Sequence, residues 1–196
     1  MKLFLASKNK HKIFEFKRIL APLGIELVSE DQLENPLSEV EETGTTFEEN
    51  AFLKASAALK ETGLPSIADD SGLCVDFLNG DPGIYSARFA GEPVDNDKNN
   101  EKLLSLLKDV PWSDRTARFV CSIVCVFPNG DIITAAGSCE GYIDFAPKGN
   151  NGFGYDPLFY FPEAQKTFGE MEPEDKNKVS HRANAVKKLK KYLEEI

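Results

Sequence analysis

Ile67-Ala68-Asp69-Asp70-Ser71-Gly72-Leu73 sets two adjacent carboxylates, a hydroxyl and a glycine just after a short apolar run. Carboxylates at the end of a buried strand are costly unless a cation, a proton or hydrogen-bond donors meet them, so this position points to a site. The alternative is an ordinary turn, because Asp-Ser-Gly is common loop chemistry and Asp readily hydrogen-bonds its own backbone. The flanking residues 66–68 and 73–77 read as strand pieces interrupted by the acidic stretch.

Outward from there, residues 2–6 read as a first strand, and Ile13, Phe16 and Leu20 mark one face of a helix ending near Pro22 and Gly24. Residues 24–28 alternate like a second strand. Thr46 and Glu49 fit a capping box that opens a helix. Its Ala51, Ala55 and Ala58 form a small-residue face, and Gly63 and Pro65 stop it. Downstream, residues 79–83 must turn, 99–108 form a helix, and 115–127 form a long strand joined through Pro128-Asn129-Gly130-Asp131 to 132–136 as a hairpin. Residues 142–145 add another strand, 148–157 a glycine-rich loop, and 173–176 a short helical turn. Ser180 caps a last helix with Ala183, Val186, Leu189 and Leu193 inward. This order predicts an α/β fold around a twisted mixed sheet, read as a single domain over 1–196.

At 196 residues, with 41% hydrophobic and 28% charged residues, the chain has the composition of an ordinary globular protein. It holds no apolar run near the roughly 18 residues a membrane span needs, so no membrane partner is expected. The opening Met1-Lys2-Leu3-Phe4-Leu5-Ala6-Ser7 is too short for the apolar region of a signal peptide, and a cytoplasmic location is expected. Cys74, Cys121, Cys125 and Cys139 lack paired spacing and nearby histidines, which favours buried thiols over zinc ligation. A formal charge of −9 argues against non-specific nucleic-acid binding, so no nucleic-acid partner is expected. Positive charge for an anionic ligand would have to be concentrated locally.

Such concentrations occur. Ser7-Lys8-Asn9-Lys10-His11-Lys12 places cations at a helix start, where the macrodipole disfavours each by roughly 0.3–1 kcal/mol, and a bound anion would resolve the conflict. A solvated basic patch is the plainer reading. Ser180-His181-Arg182, with Lys176 and Lys178 just before it, repeats the pattern at the last helix. Glu41 lies outside the capping box and, joined to Asp70, would offer the hard oxygen ligands Mg²⁺ uses. In Gly149-Asn150-Asn151-Gly152-Phe153-Gly154-Tyr155-Asp156-Pro157, an aromatic ring could stack on a nucleobase or pin the loop to the core.

Six motifs then line up in order: Ser7-Lys8-Asn9-x-x-Lys12; Glu41-Glu42-Thr43-Gly44-x-Thr46-Phe47-x-Glu49-Asn50-Ala51; Ala68 to Leu73; Pro82-Gly83-Ile84-Tyr85-Ser86-Ala87-Arg88-Phe89-Ala90-Gly91; Phe153 to Pro157; and Ser180-His181-Arg182. Together they resemble the inosine/xanthosine triphosphate pyrophosphatase family, from residue 7 to residue 182. The resemblance implies a homodimeric, Mg²⁺-dependent enzyme that hydrolyses ITP, dITP and XTP to the monophosphate and pyrophosphate. It implies an elongated mixed twisted sheet with flanking helices, in two lobes around a central substrate cleft. Carried over by motif, Ser7, Lys8, Asn9, Lys10, His11 and Lys12 would contact the triphosphate, and Glu41 and Asp70 would hold the metal. Asp70 would also be the catalytic base, while Ser71, Phe153, Gly154, Tyr155, Asp156, Lys176, His181 and Arg182 would bind substrate. Lys8 stands where the family usually has glycine, and Arg88 either touches substrate or braces the cleft, with bracing the preferred reading. The rival readings are a related pyrophosphatase for modified pyrimidine or methylated nucleotides, a nucleotide sensor without hydrolysis, and a protein adaptor.

Overall fold

The structure, a computed structural model, describes residues 2–193; the ends of the domain expected over 1–196 lie outside the described residues. Its strands are β1 (Lys2–Leu5), β2 (Glu26–Ser29), β3 (Ser66–Val75), β4 (Thr116–Val126), β5 (Ile132–Ile143), β6 (Phe159–Phe161) and β7 (Lys166–Thr167). Its helices are α1 (Lys10–Leu20), α2 (Phe47–Thr62), α3 (Asn96–Leu106), α4 (Pro173–Val179) and α5 (His181–Leu193). The strands form one seven-stranded sheet in the order β2-β1-β3-β4-β5-β6-β7. β1 runs parallel to β2 and β3, whereas β6 is antiparallel to β5 and β7, so the sheet is mixed as expected.

Three expectations need correcting. The acidic stretch does not interrupt a strand: β3 is continuous for ten residues from Ser66 to Val75, because cations meet both carboxylates. Residues 142–145 are not a separate strand, since β5 runs unbroken to Ile143. The third helix starts earlier, at Asn96, where Asp95 accepts the amides of Asp97 and Lys98 as its cap. β6 and β7 were not anticipated; they are too short to carry a periodic signal.

The chain divides into two compact units. The first comprises the residues up to Asp70, Cys121–Gly137 and the residues from Arg182 on. In it the period-two alternation of β1 separates two layers. Leu3 and Leu5 pack with Phe16 and Leu20 of α1 and Val186 and Leu189 of α5, while Phe4 packs with Val28 and Ala58. Ala51 and Ala55 of α2 join Ala68 and Val124. The small-residue face thus meets the sheet as its spacing predicted. Gly63, at φ 69°, closes α2 with its amide on the Leu59 carbonyl.

The second unit comprises Ser71–Val120 and Ser138–His181. Its core is aromatic: Phe119 lies against Phe159 and stacks on Phe168 and on His181. Buried Arg115 donates to the carbonyls of Leu107, Ile143 and Asp144, so two other chain segments are tied to one guanidinium. Burial lowers its pKa, with the nearby Asp144 charge opposing.

Candidate active site

On a continuous strand, neighbouring residues point to opposite faces of the sheet. Asp69 accordingly shares the Ile67 face, covered by α1 and α5, and Asp70 shares the Ala68 face, covered by α2. The paired carboxylates therefore live in different electrostatic surroundings.

Asp69 is a buried anion among cations. Lys12 Nζ lies 3.0 Å from its Oδ2, as does Arg182 Nη2, and Arg182 Nη1 is also paired with Glu15. Arg182 has no exposed surface, and its guanidinium sits 5.5 Å from the Phe16 ring centroid. Burial alone would raise the Asp69 pKa; Lys12, Arg182 and Lys54 outweigh it and hold the carboxyl well below the usual range. The cation at the start of α5, expected to await a bound anion, is thus neutralised by the protein's own Asp69 and Glu15.

Asp70 differs. Its Oδ1 lies 3.1 Å from Lys54 Nζ, and its Oδ2 accepts from Asn50 Nδ2 at 3.3 Å. Lys54 is shared with Glu42 at 2.8 Å. Burial raises the Asp70 pKa; Lys54 and Lys12 oppose it, Glu42 adds to it, and the outcome lies above the ordinary aspartate value. Burial depresses Lys54, but Asp70, Asp69 and Glu42 more than restore its charge.

The acidic loop before α2 is built to deliver this arrangement. Thr46 caps the helix and Glu49 returns to the Thr46 amide, completing the expected capping box. Asn50 Oδ1 accepts from Gly44 N while its Nδ2 reaches Asp70. A Cβ at Gly44 would lie 2.6 Å from Asn50 Oδ1, so only glycine allows the approach. Glu41 is exposed in this loop, and its neighbour Glu42 is the carboxylate linked to Asp70 through Lys54.

At the start of α1, the His11 and Lys12 amides are capped by Asn9 Oδ1 at 3.0 and 3.2 Å, and Ser7 Oγ accepts from Asn9 N. Lys8, Lys10 and His11 are exposed, with Lys8 at 4.0 Å from Glu30. From this motif the Lys12 side chain reaches the acidic stretch, at Asp69.

In the second unit the glycine-rich loop closes on itself. Asp156, 2% exposed, accepts from Phe153 N at 2.8 Å and from buried Lys176 Nζ at 2.6 Å. The same ammonium lies 5.1 Å from the Phe153 ring centroid. A Cβ at Gly152 would fall 2.0 Å from Asp156 Oδ2, and one at Gly149 would fall 2.0 Å from the Gly169 carbonyl, so both glycines are required by close approach. Tyr155 donates to the Ser86 carbonyl at 2.7 Å, which pins its ring to the core; burial pushes its hydroxyl pKa up. Phe153 remains half-buried, and Ser71 half-buried on β3.

Asn100 of α3 also reaches this loop. Its Nδ2 donates to the Gly154 carbonyl at 3.1 Å, while its buried Oδ1 has no hydrogen-bond partner among the described residues. An unpaired buried acceptor costs roughly 1–3 kcal/mol.

Lys54, Glu15 and Asn100 escaped the sequence reading, and Glu42 and Asn50 entered it only as members of a motif, without a role. For Asn50 and Lys54 a signal existed: they lie four residues apart on the helical face of Ala51 and Ala55.

Residues 3–192 match the model of the Ham1 family. A dITP/XTP pyrophosphatase of Desulforamulus reducens is 54% identical over 196 residues, covering 100% of this chain and 97% of that protein. The Ham1 protein structure of Coxiella burnetii superposes with a TM-score of 0.89 at 40% identity, covering 100% of both chains. That of Staphylococcus aureus gives 0.86 at 44% identity, covering 99% of this chain and 98% of the other. Matched in sequence and in fold along nearly its whole length, the chain belongs to the Ham1 family.

Proposed function

We propose that the protein hydrolyses dITP, ITP and XTP to the nucleoside monophosphate and pyrophosphate. The observation that carries this reading is the division of labour within one strand: buried Asp69 is paired with Lys12 and Arg182 on one face, while Asp70 meets Lys54 and Asn50 on the other. The relatives named dITP/XTP pyrophosphatases support the substrate class.

Release of pyrophosphate needs water to attack the α-phosphorus while charge gathers on the leaving group, so positioning and electrostatics dominate. Asp70 accepts the proton of the attacking water, oriented for it by Lys54 and Asn50. Lys12 and Lys54 offset the charge of the phosphates. Asp69 orients Lys12 and shares Arg182 with Glu15.

Mg²⁺ belongs to the same proposal. Asp70 and the loop carboxylates Glu41 and Glu42 supply the hard oxygens that Mg²⁺ takes, and Asp70 and Glu42 converge on Lys54, while among the described residues no three such side chains form a ready-made ion site. Asp70 with Glu41, the pair named by the motif, would hold the ion, with Glu42 adjacent. Bound there, it would lower the pKa of water and neutralise phosphate charge.

The base is assigned to the second unit, to Phe153 with its loop and to His181, while fully buried Arg182 is committed to Asp69 and Glu15 in the first unit. Hypoxanthine and xanthine present a 6-oxo acceptor where adenine presents an amino donor, so hydrogen-bond donors facing the base favour the former. Assembly as a homodimer is part of the same reading and is checked by sedimentation.

The test is a pyrophosphate-release panel with dITP, XTP, GTP and ATP, with and without Mg²⁺. Turnover of dITP and XTP well above GTP and ATP, and only with the metal, is expected. Equal rates on GTP would defeat the specificity claim, and absence of pyrophosphate would defeat the chemistry.

A further inference from the structure

We propose that Asn100 is a positioning residue for base recognition: from α3 it fixes the Gly154 peptide and so sets the pose of Phe153. The proposal rests on the assignment of the Phe153 loop to the base. Gly154 adopts φ 62° between Phe153, whose amide is held by Asp156, and Tyr155, whose hydroxyl is held by the Ser86 carbonyl. The Asn100 amide grips the carbonyl between those two anchors. The orientation of the Asn100 side chain is dictated by chemistry, since a carbonyl accepts only from Nδ2.

The Oδ1 left behind is buried and has no partner among the described residues. A residue chosen for stability would not strand an acceptor there, because a leucine of similar size would bury the same space without it. Neighbouring Asn99 makes the contrast: its Oδ1 accepts from Ala90 N and its Nδ2 donates to the Ala87 carbonyl, so both ends are used. Asn100 spends one end on the loop and leaves the other unsatisfied. The hold on Gly154 is what that arrangement secures.

Two variants test this in the full-length protein. Asn100→Leu removes both the grip and the stranded acceptor; Asn100→Asp keeps the size and loses the donor. With dITP as probe, both should raise KM by about five-fold, the worth of one neutral hydrogen bond, with kcat nearly unchanged. The thermal midpoint of Asn100→Leu should hold or rise. Hydrogen exchange of the amides over residues 152–156 should quicken in both variants, a readout independent of substrate. Unchanged KM and exchange in both variants would overturn the proposal, as would a parallel decline of kcat, KM and thermal midpoint. Should the wild-type protein fail to turn over dITP, the functional assignment falls, and the exchange experiment alone decides whether Asn100 holds the loop.

Discussion

Asp69 and Asp70 are chemically identical and adjacent, yet the strand sends them to opposite faces, where one becomes a structural anion and the other a candidate base. Their substitutions should therefore fail differently. Asp70→Asn keeps the shape and the acceptor for Lys54, so the fold should persist by circular dichroism while turnover falls by about a thousand-fold or more. Asp69→Asn leaves Arg182 and Lys12 without their shared counter-charge and should cost about 3–5 kcal/mol in denaturant unfolding. The sign of the pH effect follows from the depressed folded pKa of Asp69. Its contribution is fully present above the unfolded value near 3.9 and is lost as pH falls through the folded one. Wild-type stability should thus drop on acidification, and Asp69→Asn should flatten that slope.

At the scale of elements, the acidic loop and α2 act as one device, since Gly44, Thr46, Glu49 and Asn50 are joined by hydrogen bonds that end on Asp70. Gly44→Ala would drive a methyl against Asn50 and should cut kcat strongly, whereas Thr46→Ala should cost about 1 kcal/mol of stability with activity largely kept. A denaturant curve and a steady-state assay on each variant separate the two. Most helices were legible because their apolar spacing is regular, as at Phe16 and Leu20, or because a cap announces them, as at Thr46. The acidic stretch misled because polar residues inside a strand resemble a turn until their partners are known. Those partners, Lys12, Lys54 and Arg182, lie far away in sequence. The pairing of Glu42 with Lys54 stayed hidden for the same reason, a loop and a helix face meeting through tertiary contact.

Across the molecule, the thiols report on the integrity of the core. Cys121 and Cys125 lie in the first unit and Cys139 in the second, all buried, while Cys74 is half-buried. Burial pushes Cys125 and Cys139 up to about 12. An unfolded thiol ionises near 8.5, so between that value and the folded one the unfolded chain loses protons that the native chain keeps, and stability should fall as pH rises. A thiol reagent at about pH 8 should modify Cys74 first and reach the other cysteines only on unfolding. The sequence read correctly as a mixed α/β enzyme of this family because its motifs span the chain in order, although no motif revealed which side chains they would meet.

The central claim is that Asp70 activates a water for attack at the α-phosphorus, and hydrolysis of dITP in ¹⁸O-labelled water addresses it most directly. The account predicts label in the monophosphate, unlabelled pyrophosphate, and loss of the reaction in Asp70→Asn. Label appearing in inorganic phosphate released from the γ-position, or full turnover by Asp70→Asn, would contradict it.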